Sequence, residues 1–352
     1  MKEFVPSMRG IIYNLRRFVF TPNVTPKRLI NLVKISYNYA LKKSVVNSYP
    51  CRLIIDPVNI CVLKCPLCPT GKGEKGRTLG SMKLEDFKKI IDEVGDYIYE
   101  VDLYNWGESL LNKDIFRMIE YCKARKINVK ISSNLNHWQE GFEKKLVSSG
   151  LDCLIVSLDG TNQEVYEKYR RGGDFSKVIR NVKAISEAKK AFGSKTPQLV
   201  WQFIVMRQNE HQLPIAQKTY SKYGFDTLRI VPVRTDTSKE VFQSDEEKMK
   251  SSQEWLPKDE KYSRFDYKSK KKKSQLKSCI FPWTLAAINP NGAVSPCCAV
   301  YPEKHDFGNA FTYGFMKVWN NPFYVASRKA IAGKDPGRKI VCENCVKYGF
   351  IE

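Results

Sequence analysis

The chain has 352 residues, 42% hydrophobic and 27% charged, and its 59 Lys and Arg against 37 Asp and Glu give a formal net charge of +22. This length corresponds to about two domains that need no disulfide bonds, and the composition excludes collagen-like and low-complexity chains. No apolar run approaches the roughly 18–20 residues of a membrane span, and the N-terminus lacks the features of a signal peptide. We therefore expect a cytoplasmic protein whose cysteines are reduced and available to bind metal.

Residues 1–50 form a basic helical N-terminal segment in which apolar side chains recur at helical spacing in two stretches. The second stretch runs from Leu29 to Leu41 and carries Lys34. Basic amphipathic helices bind an anionic membrane surface, cover a lipid-like substrate or pack on the protein's own body, and the sequence leaves all three open. Peripheral association with the inner membrane face is therefore one option. The apolar residues of the first stretch are Phe4, Met8, Ile11, Ile12, Leu15, Phe18 and Val19.

Residues 51–235 alternate short apolar runs, which predict strands, with longer stretches of helical periodicity. The alternation predicts an α/β fold with a parallel sheet, and the repeat length suits a partial (β/α)6 TIM-like barrel, in which ligands bind at the carboxyl ends of the strands. The predicted strands are Arg52–Pro57, Tyr97–Leu103, Asn128–Ser132, Cys153–Leu158, Gln198–Met206 and Thr227–Pro232. The predicted helices are Lys83–Val94, Lys113–Lys123, Phe142–Ser148, Phe175–Ala191 and Leu213–Lys222.

Residues 236–278 are dominated by polar and charged side chains and contain a lysine run at 268–273. We expect a solvated Lys-rich linker here, with phosphate or headgroup binding by the lysines as the alternative. Residues 279–352 form a cysteine-containing tail that predicts a small second domain.

Three cysteines directly after the first predicted strand follow the spacing Cys-x3-Cys-x2-Cys. They are Cys61, Cys65 and Cys68, and their thiolates can converge on one metal centre. Three protein ligands leave one position of a cubane open, which is what chemistry at the metal requires. The alternatives are a zinc site completed from elsewhere in the chain and buried structural cysteines.

This spacing resembles the motif of the radical S-adenosylmethionine (SAM) enzymes. The resemblance implies a barrel of the radical SAM type with a 4Fe–4S cluster on Cys61, Cys65 and Cys68, and SAM on the fourth iron. One-electron reduction would then cleave SAM to methionine and a 5′-deoxyadenosyl radical, which abstracts a substrate hydrogen. The position before the last cysteine is usually aromatic in the family and is Leu67 here.

Polar segments after the following strands resemble the family's SAM-binding segments. Glu108 follows Gly107 as in the family's Gly-Gly-Glu segment, with Trp106 in place of the first glycine, and its acid would hold the SAM ammonium group. A surface turn is the alternative for Glu108, and helix capping is the alternative for the Ser and Asp that end the fourth strand. The SAM-binding residues that the resemblance implies are Gly107, Glu108, Asn134, Ser157, Asp159, Arg170, Gln202 and Val205.

The tail contains a Cys-x12-Gly-x4-Cys pattern, centred on Gly292, and then a Cys-x2-Cys pair. It resembles the opening of a SPASM domain, and the absence of later cysteines resembles the shortened twitch type of a dehydrogenase of aminoglycoside synthesis. The resemblance implies a second, auxiliary 4Fe–4S cluster, with zinc on the same thiolates as the alternative. Its ligands would be Cys279, Cys297, Cys342 and Cys345. Cys298 is then either a buried neighbour or an alternative ligand.

A radical generator beside a closed cluster that accepts an electron suits a two-electron oxidation. We therefore expect a radical SAM dehydrogenase acting on an alcohol of a sugar, cyclitol or lipid-linked carbohydrate, whose anionic groups would match the basic surface. The alternative is modification of a lipid chain or a ribosomal peptide by C–C or C–S bond formation. Electrons would come from a one-electron reductant such as flavodoxin or ferredoxin. A zinc-containing nucleic-acid-binding protein is a remote third hypothesis, and we expect no nucleic acid because the cysteines lie outside finger spacings.

Overall fold

The structure, a computed structural model, describes residues 23–235, 243–273 and 278–348. The first predicted amphipathic stretch, Phe4–Val19, lies outside these residues. None of the helices within the described ranges is both long enough and apolar enough to cross a membrane.

The predicted parallel sheet is confirmed. The strands of the described residues are β1 (Arg52–Ile55), β2 (Glu100–Asp102), β3 (Asn128–Ser133), β4 (Cys153–Ser157), β5 (Gln198–Val205), β6 (Thr227–Pro232), β7 (Phe265–Asp266), β8 (Lys271–Lys272), β9 (Leu285–Ile288) and β10 (Val294–Ser295). Eight of them form one sheet in the order β10–β9–β1–β2–β3–β4–β5–β6, in which the β9–β10 pair is antiparallel and all other pairs are parallel. All six predicted strands are therefore present, as β1–β6, and β7 and β8 form a separate hairpin.

Helices separate the strands as the periodicity predicts. The α-helices of the described residues are α1 (Pro26–Ala40), α2 (Pro69–Lys72), α3 (Leu84–Val94), α4 (Ile115–Lys123), α5 (Phe142–Ser148), α6 (Gln163–Tyr169), α7 (Phe175–Ala191), α8 (Leu213–Thr219), α9 (Asp245–Ser251), α10 (Phe281–Thr284), α11 (Ala310–Tyr313), α12 (Phe315–Trp319), α13 (Pro322–Ile331) and α14 (Cys342–Tyr348). The five helices predicted between residues 83 and 222 are α3, α4, α5, α7 and α8, with ends that differ by at most three residues.

Side-chain alternation along the strands creates two different faces of the sheet. In β3, Val129 and Ile131 are fully buried in the main core, whereas Lys130 and Ser132 are partly exposed on the other face. Because successive strand residues point to opposite faces, the main core lies between the sheet and the helices, and the second face lines the barrel interior. This interior face is where polar side chains can meet a ligand.

The tail joins the barrel through the sheet. Strand β9 pairs in parallel with β1, with Leu285 opposite Arg52 and Ile288 opposite Ile55. A turn then leads into β10, and Gly292 in this turn has φ of +81°, a conformation that suits glycine. An antiparallel hairpin therefore precedes Cys297, and the barrel and the tail share one continuous sheet.

Residues 243–273, here called the cap segment, cover the cysteine loop, although the charge of residues 236–278 predicts a solvated linker. The cap segment contains α9 and the β7–β8 hairpin, and its apolar side chains pack against Leu63 and Cys65. The buried side chains of this contact are Trp255, Leu256 and Phe265. Glu210, which follows β5, accepts two backbone N–H groups of the cap segment at 3.1 and 3.0 Å. The burial of a few apolar side chains thus determines the packing of this segment, although its average composition is polar.

Candidate functional site

The three motif cysteines lie on a loop that follows β1, at the carboxyl end of the barrel strands. Cys65 is buried, whereas Cys61 and Cys68 are partly exposed. The backbone N–H of Cys68 donates to the carbonyl oxygen of Cys65 over 3.1 Å. A Cβ atom on Gly71 would lie 2.5 Å from the backbone nitrogen of Cys65, so glycine is needed for the chain to fold back this closely. The loop therefore holds the three thiols together in one compact turn.

The surroundings of these thiols fit a metal-bound thiolate. Burial raises the pKa of the Cys61 thiol to about 12 and also raises the pKa of Cys65. Asn134 Nδ2 nevertheless lies 3.6 Å from Cys61 Sγ, and a guanidinium nitrogen of Arg170 lies 3.7 Å from Cys65 Sγ. Donors aimed at sulfur stabilise a thiolate, and a metal centre removes the thiol proton outright. These residues therefore suit the three-thiolate cluster that the resemblance implies.

Asp56, at the end of β1, holds the predicted SAM-binding loop beside the cysteine loop. Its carboxylate accepts the backbone N–H of Trp106 over 3.1 Å, and it also accepts the backbone N–H of Gly107. A Cβ atom on Gly107 would lie 1.7 Å from the carbonyl oxygen of Val58, so only glycine fits there. Burial raises the pKa of Asp56 to about 7, in spite of these N–H donors. Asp56 was not among the predicted site residues, although its position directly after a strand could have indicated a role at the site.

Glu108 is buried, with 2% of its surface exposed, which argues against the surface-turn alternative. One carboxylate oxygen accepts the backbone N–H of Asn134 over 2.8 Å, and the other accepts that of Leu110 over 3.2 Å. Burial raises the pKa of Glu108, while the Asn134 N–H opposes this rise. Each oxygen still has acceptor capacity, so a ligand ammonium group would find a partner here and would favour the ionised acid.

Asp159 and Arg170, both predicted as SAM contacts, bind each other. Arg170 Nε donates to Asp159 Oδ2 over 2.6 Å, and Asp159 Oδ1 accepts the backbone N–H of Ile204 over 2.7 Å. Burial disfavours charge on Arg170, but the Asp159 carboxylate raises the pKa of Arg170 well above its ordinary value. The helix that follows is capped by Asn162, so Asp159 does not serve as its cap. A cation whose side chain is only 13% exposed therefore lies beside the Cys65 sulfur.

The three remaining predicted SAM residues differ in position. Ser157 Oγ lies 3.4 Å from Ser132 Oγ, and Gln202 is partly exposed on its strand. The side chain of Val205 is buried in the main core, so the structure does not support it as a side-chain contact of the site. Its neighbour Ile204 packs beside the cysteine loop instead. Because strand residues alternate between faces, a shift of one position moves the side chain to the other side of the sheet.

A group of charged side chains that the sequence analysis missed lines the barrel interior. Arg52 forms ion pairs with Asp102 and, over 3.3 Å, with Glu100, and Lys130 pairs with Glu100 over 2.5 Å. Asp102 is 1% exposed, whereas the Arg52 side chain keeps 37% of its surface accessible. Tyr104 follows at the next position of the same face and is partly exposed. The barrel interior is therefore polar and accessible rather than filled by apolar side chains.

The four predicted ligands of the auxiliary cluster meet at one apolar cavity. Its cysteines are Cys279, Cys297, Cys342 and Cys345, and its other lining side chains are Phe, Pro, Val and Ile. Burial raises the pKa of Cys342 to about 12 and raises the pKa of Cys297 well above its ordinary value. Such thiols stay protonated unless a metal centre binds them, so the donor set fits a closed cluster. Cys298 is not among the lining residues and instead packs near Ile54 and Leu285.

Two contacts fix the tail against the cysteine-loop region. Arg77, whose side chain is fully buried, donates to both Asp306 carboxylate oxygens at 2.9 Å and to the Tyr301 carbonyl oxygen at 2.5 Å. Trp106, at the position where the family has glycine, packs edge-on against the Tyr301 ring with centroids 5.3 Å apart. Sequence analysis missed these contacts because Arg77 and Asp306 are 229 residues apart in the chain.

Both regions match known protein families. Residues 55–210 match the model of the radical SAM superfamily, and residues 279–346 match SPASM, an iron–sulfur cluster-binding domain. The chain is a radical SAM protein with a C-terminal SPASM domain. Both matched ranges contain the cysteines described above, so the resemblance seen in the sequence is confirmed.

Relatives and solved structures match between about half and nine-tenths of the chain. Mycofactocin maturase MftC of Mycobacterium ulcerans is 25% identical over 304 residues, which cover 82% of this chain and 78% of that protein. MftC of Mycolicibacterium smegmatis is 30% identical over 176 residues, which span 49% of this chain and only 42% of the relative's length. Streptococcus suis SuiB, solved with precursor peptide SuiA, aligns with a TM-score of 0.60 and 17% identity over 88% of this chain and 75% of SuiB. The likeness to SuiB shows a shared fold.

The radical SAM and SPASM domains imply SAM and 4Fe–4S clusters as cofactors of this radical SAM enzyme. The three-thiol loop with its polar neighbours suits a cluster that binds SAM, and the four-thiol cavity suits a second, closed cluster. Within the described ranges, no group of three or more His, Cys, Asp or Glu side chains is arranged to hold one metal ion. The ligands of a cubane bind different irons, so this finding and a pair of clusters are compatible.

Proposed function

We propose that this radical SAM enzyme is a maturase that modifies a peptide substrate by hydrogen abstraction. When SAM is bound to the reduced cluster, it supplies a 5′-deoxyadenosyl radical for this step. A one-electron reductant such as flavodoxin or ferredoxin would provide the electrons. The observation that carries the proposal is the alignment with mycofactocin maturase, which extends over 82% of this chain and 78% of that protein. The structural neighbour SuiB, whose solved complex contains a precursor peptide, is consistent with it.

The barrel interior supports a polar substrate over an alkyl chain. Arg52, Glu100 and Lys130 form a charged network there, and Asp102 Oδ1 has no hydrogen-bond partner among the residues that the structure describes. An alkyl chain placed against these groups would remove water from them without replacing its hydrogen bonds, which is costly for buried polar atoms. A peptide group or a polar side chain can donate to Asp102. The interior therefore disfavours the lipid-chain alternative.

Residues of this chain have distinct roles in the proposed reaction. Glu108 would hold the ammonium group of SAM, since it is buried and keeps acceptor capacity. Arg170 donates to Cys65 and keeps a positive charge beside the cluster ligands. The cap segment places Trp255 and Leu256 over the cysteine loop and excludes water from that side. These groups position the cofactors; the residue that moves the substrate proton is not assigned.

The test uses protein with both clusters reconstituted anaerobically, SAM and dithionite. The probe is a low-molecular-weight extract of cells that naturally express this protein, grown in deuterated medium. It is supplied to the enzyme before and after exhaustive protease digestion. We expect deuterium to appear in 5′-deoxyadenosine with the intact extract and to be strongly reduced after digestion, because the substrate is a peptide. Transfer that survives digestion would contradict a peptide substrate. The matched control is the Cys61→Ala, Cys65→Ala, Cys68→Ala variant, which should give no labelled product.

Oxidation of an alcohol of a sugar or cyclitol is the second candidate. It is favoured by the four tail thiols at one cavity, which suit a single closed cluster that accepts the electron left on the substrate. This candidate predicts one ketone per 5′-deoxyadenosine and label transfer that resists the protease. The same experiment therefore separates the two candidates, since digestion removes label transfer for a peptide only.

A further inference from the structure

Helix α1 has one face that is firmly attached to the barrel. Its buried residues are Arg28, Asn31, Leu32, Ile35 and Asn38. The guanidinium of Arg28 donates to four backbone carbonyl groups, among them those of Gly95, Arg125 and Lys126 at 2.7 to 3.0 Å. Asn31 binds the backbone of Tyr49 in both directions. These contacts pair both terminal guanidinium nitrogens of Arg28 and the side chain of Asn31, and they fix the orientation of the helix. Packing on the protein's own body, one of the three options that the sequence leaves open, therefore applies to this face.

The opposite face of α1 carries an apolar stripe that extends just past the helix end. Ile30, Val33, Tyr37 and Leu41 are 57%, 67%, 53% and 54% exposed. Their spacing of three and four residues places them on one side of the helix, about half a turn away from Leu32 and Ile35. Scattered single apolar residues are normal on a surface, but a contiguous stripe along an exposed helix marks an interaction site.

The charged side chains that this segment places beside the stripe are lysines, and Asp96 from another segment pairs with Lys27 near the start of the helix. Lys34 and Lys43 are exposed beside it, and the Lys43 ammonium lies 4.5 Å from the centre of the Tyr37 ring. No Asp or Glu occurs between Glu3 and Asp56. Lysine beside exposed aliphatic and aromatic side chains complements an anionic lipid surface, to which the ammonium groups bind while the apolar groups enter the interface.

The helix also has a defined place relative to the cysteine loop. Its contacts are with residues that precede strands, such as Cys51 before β1 and Tyr99 before β2, in one small buried cluster. The cysteine loop follows β1, so it lies at the other end of the parallel strands. A surface bound by α1 would therefore face away from the mouth of the barrel. The stripe offers no path for a lipid chain into the site.

We propose that this face of α1 docks the protein on an anionic membrane surface, with the carboxyl ends of the barrel strands directed away from the bilayer. The inference is independent of the substrate. Charge complementarity favours a lipid surface over a second copy of this chain, because two copies of a face that carries the exposed Lys34 and Lys43 beside its apolar stripe would repel each other. Self-association is an outcome of the test.

The test measures co-sedimentation of the full-length reconstituted protein with vesicles of phosphatidylcholine alone and of phosphatidylcholine with phosphatidylglycerol. We expect binding to the anionic vesicles that weakens as salt is raised. Val33→Asp with Tyr37→Asp should lower the partition coefficient by about tenfold or more, and Lys34→Glu with Lys43→Glu by about tenfold. Ile215→Asp, which changes an exposed apolar residue on α8, is the matched control and should bind like the wild type.

Several outcomes would overturn the proposal. One is a wild-type protein that stays in solution with anionic vesicles, and another is equal vesicle binding by Val33→Asp/Tyr37→Asp and the wild type. A dimer in analytical ultracentrifugation that this variant dissociates, without vesicle binding by the wild type, would assign the face to self-association instead. Because the altered residues are exposed, iron content and SAM cleavage should stay at the wild-type level, which controls for folding.

Discussion

The two cysteine sites of this protein differ in what surrounds the sulfur atoms. On the loop after β1, three thiols have polar neighbours, with Asn134 3.6 Å from Cys61 and Arg170 3.7 Å from Cys65. In the tail, four thiols line a cavity whose other walls are apolar. Three thiol ligands with hydrogen-bond donors and the buried acid Glu108 nearby suit a cluster that binds a charged cofactor. Four ligands within apolar walls suit a cluster that is closed and exchanges only electrons.

This difference indicates a division of labour that can be tested one site at a time. The first site should be needed for any cleavage of SAM, whereas the second should be needed for completing the reaction on substrate. The contacts of Arg77 and Trp106 with the tail then determine how firmly the two sites are held together.

The largest effect is expected when the first site is removed. Changing Cys61, Cys65 and Cys68 to Ala should lower the iron content from about eight to about four per chain and abolish SAM cleavage, because the remaining thiols hold one cubane. Iron and sulfide analysis with a 5′-deoxyadenosine assay measures both effects. The control is Cys122→Ala, a fully buried cysteine on α4, which should keep the wild-type iron content. SAM cleavage by the triple variant would remove the assignment of the first site.

Removal of the second site should have a narrower effect. Changing Cys342 and Cys345 to Ala should lower the iron content by about four per chain, while SAM cleavage by dithionite-reduced protein without substrate continues. The physical reason is that the first cluster keeps all three of its thiol ligands. The measurement is iron content beside uncoupled 5′-deoxyadenosine formation. Zinc in place of iron at the tail thiols of the purified wild-type protein would contradict a closed iron–sulfur cluster.

The sequence predicts those parts of the molecule whose signal is local. Strands β1 to β6 follow from short apolar runs, and the cysteine loop follows from spacing within eight residues. The SAM contact of Val205 stays a prediction; its side chain packs in the main core, whereas that of its neighbour Ile204 packs beside the cysteine loop. Alternation is sensitive to a single position, so a correct strand does not by itself give a correct contact.

Contacts between distant segments could not be predicted in the same way. The interior ion pairs join Arg52 to residues of β2, and their partners become visible only once the strand order is known. The cap segment was predicted as linker because its many charges outweigh three apolar residues in any average of composition. Its packing depends on where Trp255, Leu256 and Phe265 stand, which the structure alone reveals.

The contact between the two sites can be weakened without touching a cysteine. Arg77→Ala should lower the free energy of unfolding by about 3–5 kcal/mol, because it leaves the Asp306 carboxylate, 7% exposed, without its cation. Anaerobic urea denaturation measures the change. Arg125→Ala is the matched control, since Arg125 and Asp92 are 35% and 53% exposed, and its effect should stay below about 1 kcal/mol. Equal effects of the two variants would show that the Arg77 contact does not hold the tail in place.

The smallest expected effect concerns the potential of the first cluster. Arg170 is a largely enclosed cation, with 13% of its side chain exposed, that donates toward Cys65 Sγ, and a positive charge beside a cluster stabilises its more negative, reduced form. Arg170→Gln should therefore lower the midpoint potential by roughly 50–100 mV, the equivalent of losing one hydrogen bond to a charged group. Redox titration followed by electron paramagnetic resonance measures the shift.

Two further variants separate this electrostatic effect from a loss of structure. Arg171→Gln changes the exposed neighbour and should leave the potential unchanged, because the Arg171 side chain is on the surface. Asp159→Asn with Arg170→Gln removes the acid that would otherwise remain buried without its cation, and it should keep the iron content while the potential stays low. A wild-type midpoint potential in both Arg170 variants would mean that the contact of Arg170 with Cys65 orients the cysteine loop but does not influence the potential of the first cluster.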